Sequence, residues 1–241
     1  MLGPSFKVAR IVGIPIRVHF TLALCVPFLI WDFGLAMAVV TGGALFASIV
    51  LHELGHAVVA MRKGGEVQEI LLLPIGGAAR MSRLPPRPRD ELLMAVAGPA
   101  VSLTLFLALY LGGACLPLEA EMVPVFGAQL HINGVQAVGL LNLTLAVFNL
   151  VPAFPMDGGR VLRALLAGRY GRLKATRIAA GVGRALAVVM GCSAVAEWLR
   201  GGPFSMLVFI SIFIFWAAGM EYRAVQFQVW RESHRWWEFH P

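Results

Sequence analysis

The chain has 241 residues, of which 59% are hydrophobic and only 14% charged, and a mean hydropathy of +0.77; soluble domains run near about 45–50% apolar and about 25% charged. These figures exclude a soluble enzyme and a disordered tail and point to several membrane spans in one compact domain. The net charge of +7 fits basic loops against anionic lipid rather than nucleic acid, and Cys25, Cys115 and Cys192 are too scattered for a disulfide framework or a cysteine metal site.

Lys7, Arg10 and Arg17 precede the first apolar run, and no small-residue cleavage site follows it, so the run is expected to be a span rather than a cleaved leader. Apolar runs fall at about 18–31, 34–61, 92–116, 135–151, 178–199 and 204–222. The expected fold is an all-α polytopic membrane protein with about six transmembrane helices. Residues 66–81, with Val67 and Ile70 to Leu73 before Gly76-Gly77, predict a small membrane-associated strand or hairpin after the second helix. Of the 20 basic residues, 18 lie before span one, between spans two and three, between four and five, or after six. The positive-inside rule then puts both termini in the cytoplasm, as an even number of spans requires. Residues 1–222 are expected to form a single membrane-embedded domain. Residues 223–241 form an aromatic and basic tail, with Trp230, Trp236, Trp237 and Phe239 beside Arg231 and Arg235, suited to the membrane interface.

The second span contains His52-Glu53-Leu54-Gly55-His56. Histidines at i and i+4 stack on one helix face, where both imidazoles can reach one zinc ion. Glu53 falls between them, within reach of an attacking water, which is the HExxH pattern of zinc-dependent proteases. Ionisable groups inside a span are expensive and default to function. A catalytic zinc usually takes three protein ligands. The third should lie at similar depth, and the few candidates are Glu197 toward the outer end of span five, His19 near the start of span one, and Asp157 directly after span four, in Asn149-Leu-Val-Pro-Ala-Phe-Pro-Met-Asp157-Gly-Gly-Arg160. Spans two and four run in the same direction in the charge-derived topology, so His52, His56 and Asp157 all fall toward the cytoplasmic side. Pro152 and Pro155 stop regular helix there, and irregular backbone at membrane depth needs a protein cavity to line.

HELGH within a span, followed by Asn149, Pro152, Pro155 and Asp157-Gly-Gly, resembles the site-2 protease family of intramembrane zinc metalloproteases. Gly98-Pro99 and Leu73-Pro74-Ile75-Gly76-Gly77 resemble that family as well, over about residues 10–225. The compact layout is similar to the subgroup of the sporulation pro-sigma-factor protease, without a nucleotide-binding or PDZ domain. The resemblance implies one zinc per chain held by His52, His56 and Asp157, Glu53 as general base, and Asn149 on the substrate carbonyl or backbone. It implies substrate contact at Gly76 and Gly77, a membrane-spanning protein or peptide as substrate, and residence in a plasma membrane. A transporter or proton relay through the same groups, and an idle membrane scaffold, are the competing readings. The first lacks the internal repeat common in transporters, and the second leaves a filled catalytic pattern unexplained.

Overall fold

The computed structural model describes residues 4–24, 26–73, 76–125 and 128–234. It has two compact units: Met1–Pro86 with Val96–Phe148, and Arg87–Ala95 with Asn149–Pro241.

In the first unit, the segment before the first apolar run is sheet. Strands β1 (Ser5–Ile11) and β2 (Ile14–His19) form an antiparallel hairpin, turned by Val12 and Gly13 at φ 51° and 78°. Ile14, Ile16 and Val18 alternate with Pro15, Arg17 and His19, a period of two that suits a half-buried strand. A short 3-10 turn (Phe20–Leu24) leads into helix α1 (Val26–Arg62). The expected first and second spans therefore differ from what is found. Residues 18–24 are strand and turn, and residues 26–62 are one helix of 37 residues. Only Asp32 and Phe33 separate the two expected apolar runs. Neither removes a backbone donor as proline does, so the hydrogen-bond ladder continues through them.

Gly64, at φ +80°, ends α1, as a glycine beyond a helix C-terminus commonly does. The chain then forms the expected hairpin, β3 (Glu66–Leu73) and β4 (Gly76–Arg83). The sheet order is β1-β2-β3-β4, with β2 parallel to β3 and β4 at one edge. Ile14, Ile16, Ile70 and Leu72 from the sheet pack with Ile49, Leu54 and Ala57 of α1. The motif helix and the sheet thus share one apolar core. The first unit also holds a two-stranded pair, β5 (Glu121–Val125) and β6 (Ala128–Ile132), and most of α3 (Gly134–Leu150). Asn142 of α3 donates to Ser48 Oγ of α1 at 2.9 Å. Helix α2 (Pro88–Ala114) starts in the second unit and runs on in the first.

In the second unit, α4 (Asp157–Tyr170), α5 (Arg172–Leu199) and α6 (Leu207–His234) follow one another. Gly171, at φ 75°, makes the turn between α4 and α5. Ala179 and Ala180 of α5 and Ala218 of α6 close around Phe154. Small side chains let helices approach closely where lipid gives no hydrophobic drive for association.

Among the described residues, four helices are long and apolar enough to cross a membrane: Gly42–Arg62, Pro88–Ala114, Arg172–Leu199 and Leu207–Arg231. Gly134–Leu150 is a shorter apolar helix. Helix α6 continues into the expected tail as far as His234. Trp236, Trp237 and Phe239, like Cys25, Pro74 and Ile75, lie outside the described residues.

Candidate metal centre

His52 and His56 lie one turn apart on α1, and both are buried. Their Nε2 atoms are 3.2 Å apart, with the rings edge-on at 77°. Two nitrogens at about 2.0–2.1 Å from a tetrahedral zinc would be separated by roughly 3.3 Å. The pair therefore has the bite of a single ion. Ser102 Oγ of α2 lies 2.9 Å from His52 Nδ1. With the Nδ1 proton donated to that hydroxyl, the Nε2 lone pair is the one presented to a metal.

Gly98, one turn before Ser102, keeps the space in front of both rings open. A Cβ at position 98 would press on His56 Nε2 and stand 2.7 Å from His52 Nε2. Only a residue without a side chain leaves room for an ion there. Space reserved against two buried imidazole nitrogens is the observation that fits a metal.

Glu53, between the histidines, is half-buried. Its Oε2 accepts the Ala79 N–H at 3.1 Å. Ala79 belongs to β4, an edge strand, so this amide is bonded to a carboxylate instead of a neighbouring strand. Gly77 permits the approach: a Cβ there would be 2.6 Å from Glu53 Cγ and 2.9 Å from Ile49 Cγ2. Gly76 and Gly77, expected to contact substrate, thus open the strand that runs beside Glu53.

In the second unit, Asp157 is the first residue of α4 and is buried. The preceding residue, Met156, supplies no side-chain cap. Phe154, in the loop before it, is fixed from below by Arg163, whose guanidinium lies 5.0 Å from the ring centroid. Arg163 is 1% exposed. It donates through Nε to Glu91 Oε1 at 2.7 Å and through Nη1 to Glu221 Oε1 at 2.7 Å. Asn149 is the penultimate residue of α3 and is half-buried.

Among the described residues, His52, His56 and Asp157 form the group of histidine and carboxylate side chains that could hold a metal ion. Of the other two candidates, His19 is buried at the end of β2 with Nδ1 2.7 Å from Thr21 Oγ1, and Glu197 lies in the last turn of α5. Neither belongs to that group. Sequence reasoning missed Ser102 and Arg163. Ser102 had an available signal, since it follows Gly98 by four residues and so shares its helix face. Arg163 had none, because it sits in a basic stretch that reads as a loop.

The model of peptidase family M50 matches residues 41–129 and 125–190. A zinc metalloprotease of Methanocaldococcus jannaschii is 40% identical over 234 residues, covering 92% of this chain and 62% of that protein. Stage IV sporulation protein FB of Bacillus subtilis is 27% identical over 149 residues, covering 61% of this chain and 48% of its own length. The chain spans between 49% and 62% of the length of the first curated relatives it matches. A solved structure, the site-2 protease from Methanocaldococcus jannaschii, superposes with a TM-score of 0.66 at 37% identity, over 91% of this chain and 95% of that one. The family model covers more than half of the residues and includes both histidines and Asp157, so the chain belongs to peptidase family M50, the family of the site-2 proteases.

Proposed function

We propose that this chain is an intramembrane zinc metalloprotease that hydrolyses a peptide bond in or near a transmembrane segment of a membrane-protein substrate. The observation that carries the reading is the pair of Nε2 atoms 3.2 Å apart behind the space that Gly98 reserves, with Glu53 between the two histidines. His52, His56 and Asp157 would hold one zinc per chain. When bound, zinc supplies Lewis-acid activation of water and of a carbonyl near neutral pH.

The chain's own residues do the rest. The Glu53 carboxylate takes the proton of the attacking water and returns it to the leaving amine. Its bond to the Ala79 amide aims the carboxylate, while Gly77 leaves it room. The Asn149 side-chain amide donates to the substrate carbonyl or backbone and favours the charge that develops there. A spanning segment hides its peptide bonds inside its own helix and must be unwound first. The outer edge of β4, from Gly76 and Gly77 up to the Ala79 amide that Glu53 holds, would hold the unwound segment by main-chain pairing.

Residues 1–222 act in this reading as one membrane-embedded catalytic domain, with 223–241 as an interfacial segment. The lysines and arginines around the α4–α5 turn favour the cytoplasmic face for that turn, the resemblance to the site-2 proteases favours a plasma membrane, and the basic segments meet lipid head groups rather than nucleic acid.

The test is zinc content and cleavage measured together in detergent. Wild type is expected to carry close to one zinc per chain, and His52→Ala and Asp157→Ala to lose it. Glu53→Gln is expected to keep zinc while its cleavage of a single-span model peptide falls about 100- to 10,000-fold. Absence of zinc after controlled reloading, or a Glu53→Gln variant that cuts at the wild-type rate, overturns the reading.

A further inference from the structure

A groove of about 470 Å³ runs between α5 and α6, and none of the candidate metal ligands lines it. Its walls are mostly apolar, with Val188, Ile212, Phe215 and Trp216 among them, and no carboxylate lines it. Two arginines do, Arg184 of α5 and Arg223 of α6. The Arg184 guanidinium lies over the Phe215 ring, 5.4 Å from its centroid, and its Nη2 occupies the space beside Gly219, 2.5 Å from where a Cβ would be. Its Nε is buried without a hydrogen-bond partner. Arg223 follows Gly219 by four residues and so lies on the same face of α6. The nearest acid in sequence, Glu221, is committed to Arg163 at 2.7 Å.

The two cations sit at one end of the groove. The apolar run of α6 ends at Met220, and polar sequence begins with Glu221 and Arg223. From Gly219 the groove follows α6 back to Ser211, about 12 Å at 1.5 Å per residue, entirely within apolar sequence. Its flank is open: Ile212 and Trp216 are 62% and 60% exposed, on a helix that is long and apolar enough to cross a membrane. A basic end at the polar boundary, joined to an apolar trough facing hydrocarbon, has the polarity of an anionic amphiphile. A guanidinium that no carboxylate holds offers parallel N–H donors to two oxygens of a phosphate. Basic pockets between spanning helices are where acidic lipid head groups bind.

We propose that the α5–α6 groove binds one anionic glycerophospholipid, with its phosphate on Arg184 and Arg223 and an acyl chain along Val188 and Ile212. The site goes beyond the proteolytic reading and does not depend on it. Two unpaired guanidinium groups favour a headgroup of net negative charge over a zwitterionic one, and the apolar trough favours a lipid over a free anion.

The test uses the full chain, purified in a nonionic detergent and stripped of lipid. It is titrated with phosphatidylglycerol or phosphatidylcholine of identical acyl chains and followed by native mass spectrometry. Wild type is expected to take up a single phosphatidylglycerol at about tenfold lower concentration than phosphatidylcholine. Arg184→Gln/Arg223→Gln is expected to bring the two lipids to parity. Val188→Trp fills the trough, keeps both arginines, and is expected to lose the phosphatidylglycerol adduct. It also keeps the test alive if the double variant does not fold. Equal binding of the two lipids by wild type, or a preference retained in any variant that elutes as a folded species, overturns the proposal. Stabilisation by inorganic phosphate equal to that by phosphatidylglycerol overturns the lipid assignment in favour of a soluble anion.

Discussion

Ser102 and Gly98 decide how the two motif histidines can be used, though neither is a ligand. Ser102 fixes His52 from the Nδ1 side, and partners of this kind orient a ligand and raise its basicity. Ser102→Ala is expected to weaken zinc binding about 10- to 100-fold, measured by competition with a chelator of known affinity. Unchanged affinity would remove Ser102 from the site. Gly98→Ala is expected to do more, because the added Cβ would fill the space before both Nε2 atoms. Zinc should fall to background in an otherwise folded protein. HELGH was legible from sequence because helical periodicity converts its spacing directly into geometry. Ser102 is 50 residues from His52, and their meeting is set by the packing of α2 on α1, which no local spacing encodes.

At the scale of elements, the sheet shows where periodicity was informative and where a competing pattern hid it. The β3–β4 hairpin was anticipated from Val67, Ile70 and the two glycines. The β1–β2 hairpin was not, because Ile14 to His19 abuts an apolar run and merges with it in a hydropathy profile, while its partner β3 lies 54 residues along the chain, as in the pair Ile16 and Ile70. Strand β4 offers its own prediction. Gly77→Val would push a branched side chain into Glu53 Cγ and Ile49, displacing the carboxylate from the Ala79 amide. Cleavage is expected to be lost while zinc is retained, and a Gly77→Val enzyme with normal turnover would refute that role. The second unit depends on Arg163, which ties α4 to Glu91 and Glu221 and covers Phe154. Removing one partner of a buried ion pair costs about 3–5 kcal/mol because the other charge is left unpaired. Arg163→Met is therefore expected to lower the temperature at which the detergent-solubilised protein loses its monodisperse peak. Adding Glu91→Gln should recover part of the loss, and a wild-type transition in the single variant would show the network to be dispensable.

For the whole molecule, the mechanism turns on which face of the membrane the α4–α5 turn meets. The parity of spans no longer bears on it, since residues 26–62 are one helix where two spans were expected. The charge distribution remains. Arg169, Arg172, Lys174 and Arg177 cluster around the α4–α5 turn, whereas Arg200 is the single basic residue at the α5–α6 end. Moving such a cluster across a bilayer is unfavourable, so the α4–α5 turn is predicted to be cytoplasmic and Arg200 external. Cysteine labelling separates the two orientations. Cys25, Cys115 and Cys192 are replaced by serine, and single cysteines are placed at Gly168, which is exposed with open space around a new Cβ, and at Arg200. In intact cells a membrane-impermeant maleimide should label Arg200→Cys at once and Gly168→Cys only after permeabilisation. The reverse pattern would invert the molecule. Asp157 and Gly168 lie on one helix, about 16 Å apart at 1.5 Å per residue, so Asp157 lies within about half the thickness of the hydrocarbon core of the labelled face. Cytoplasmic labelling at position 168 alone would place Asp157 within that reach of the cytosol.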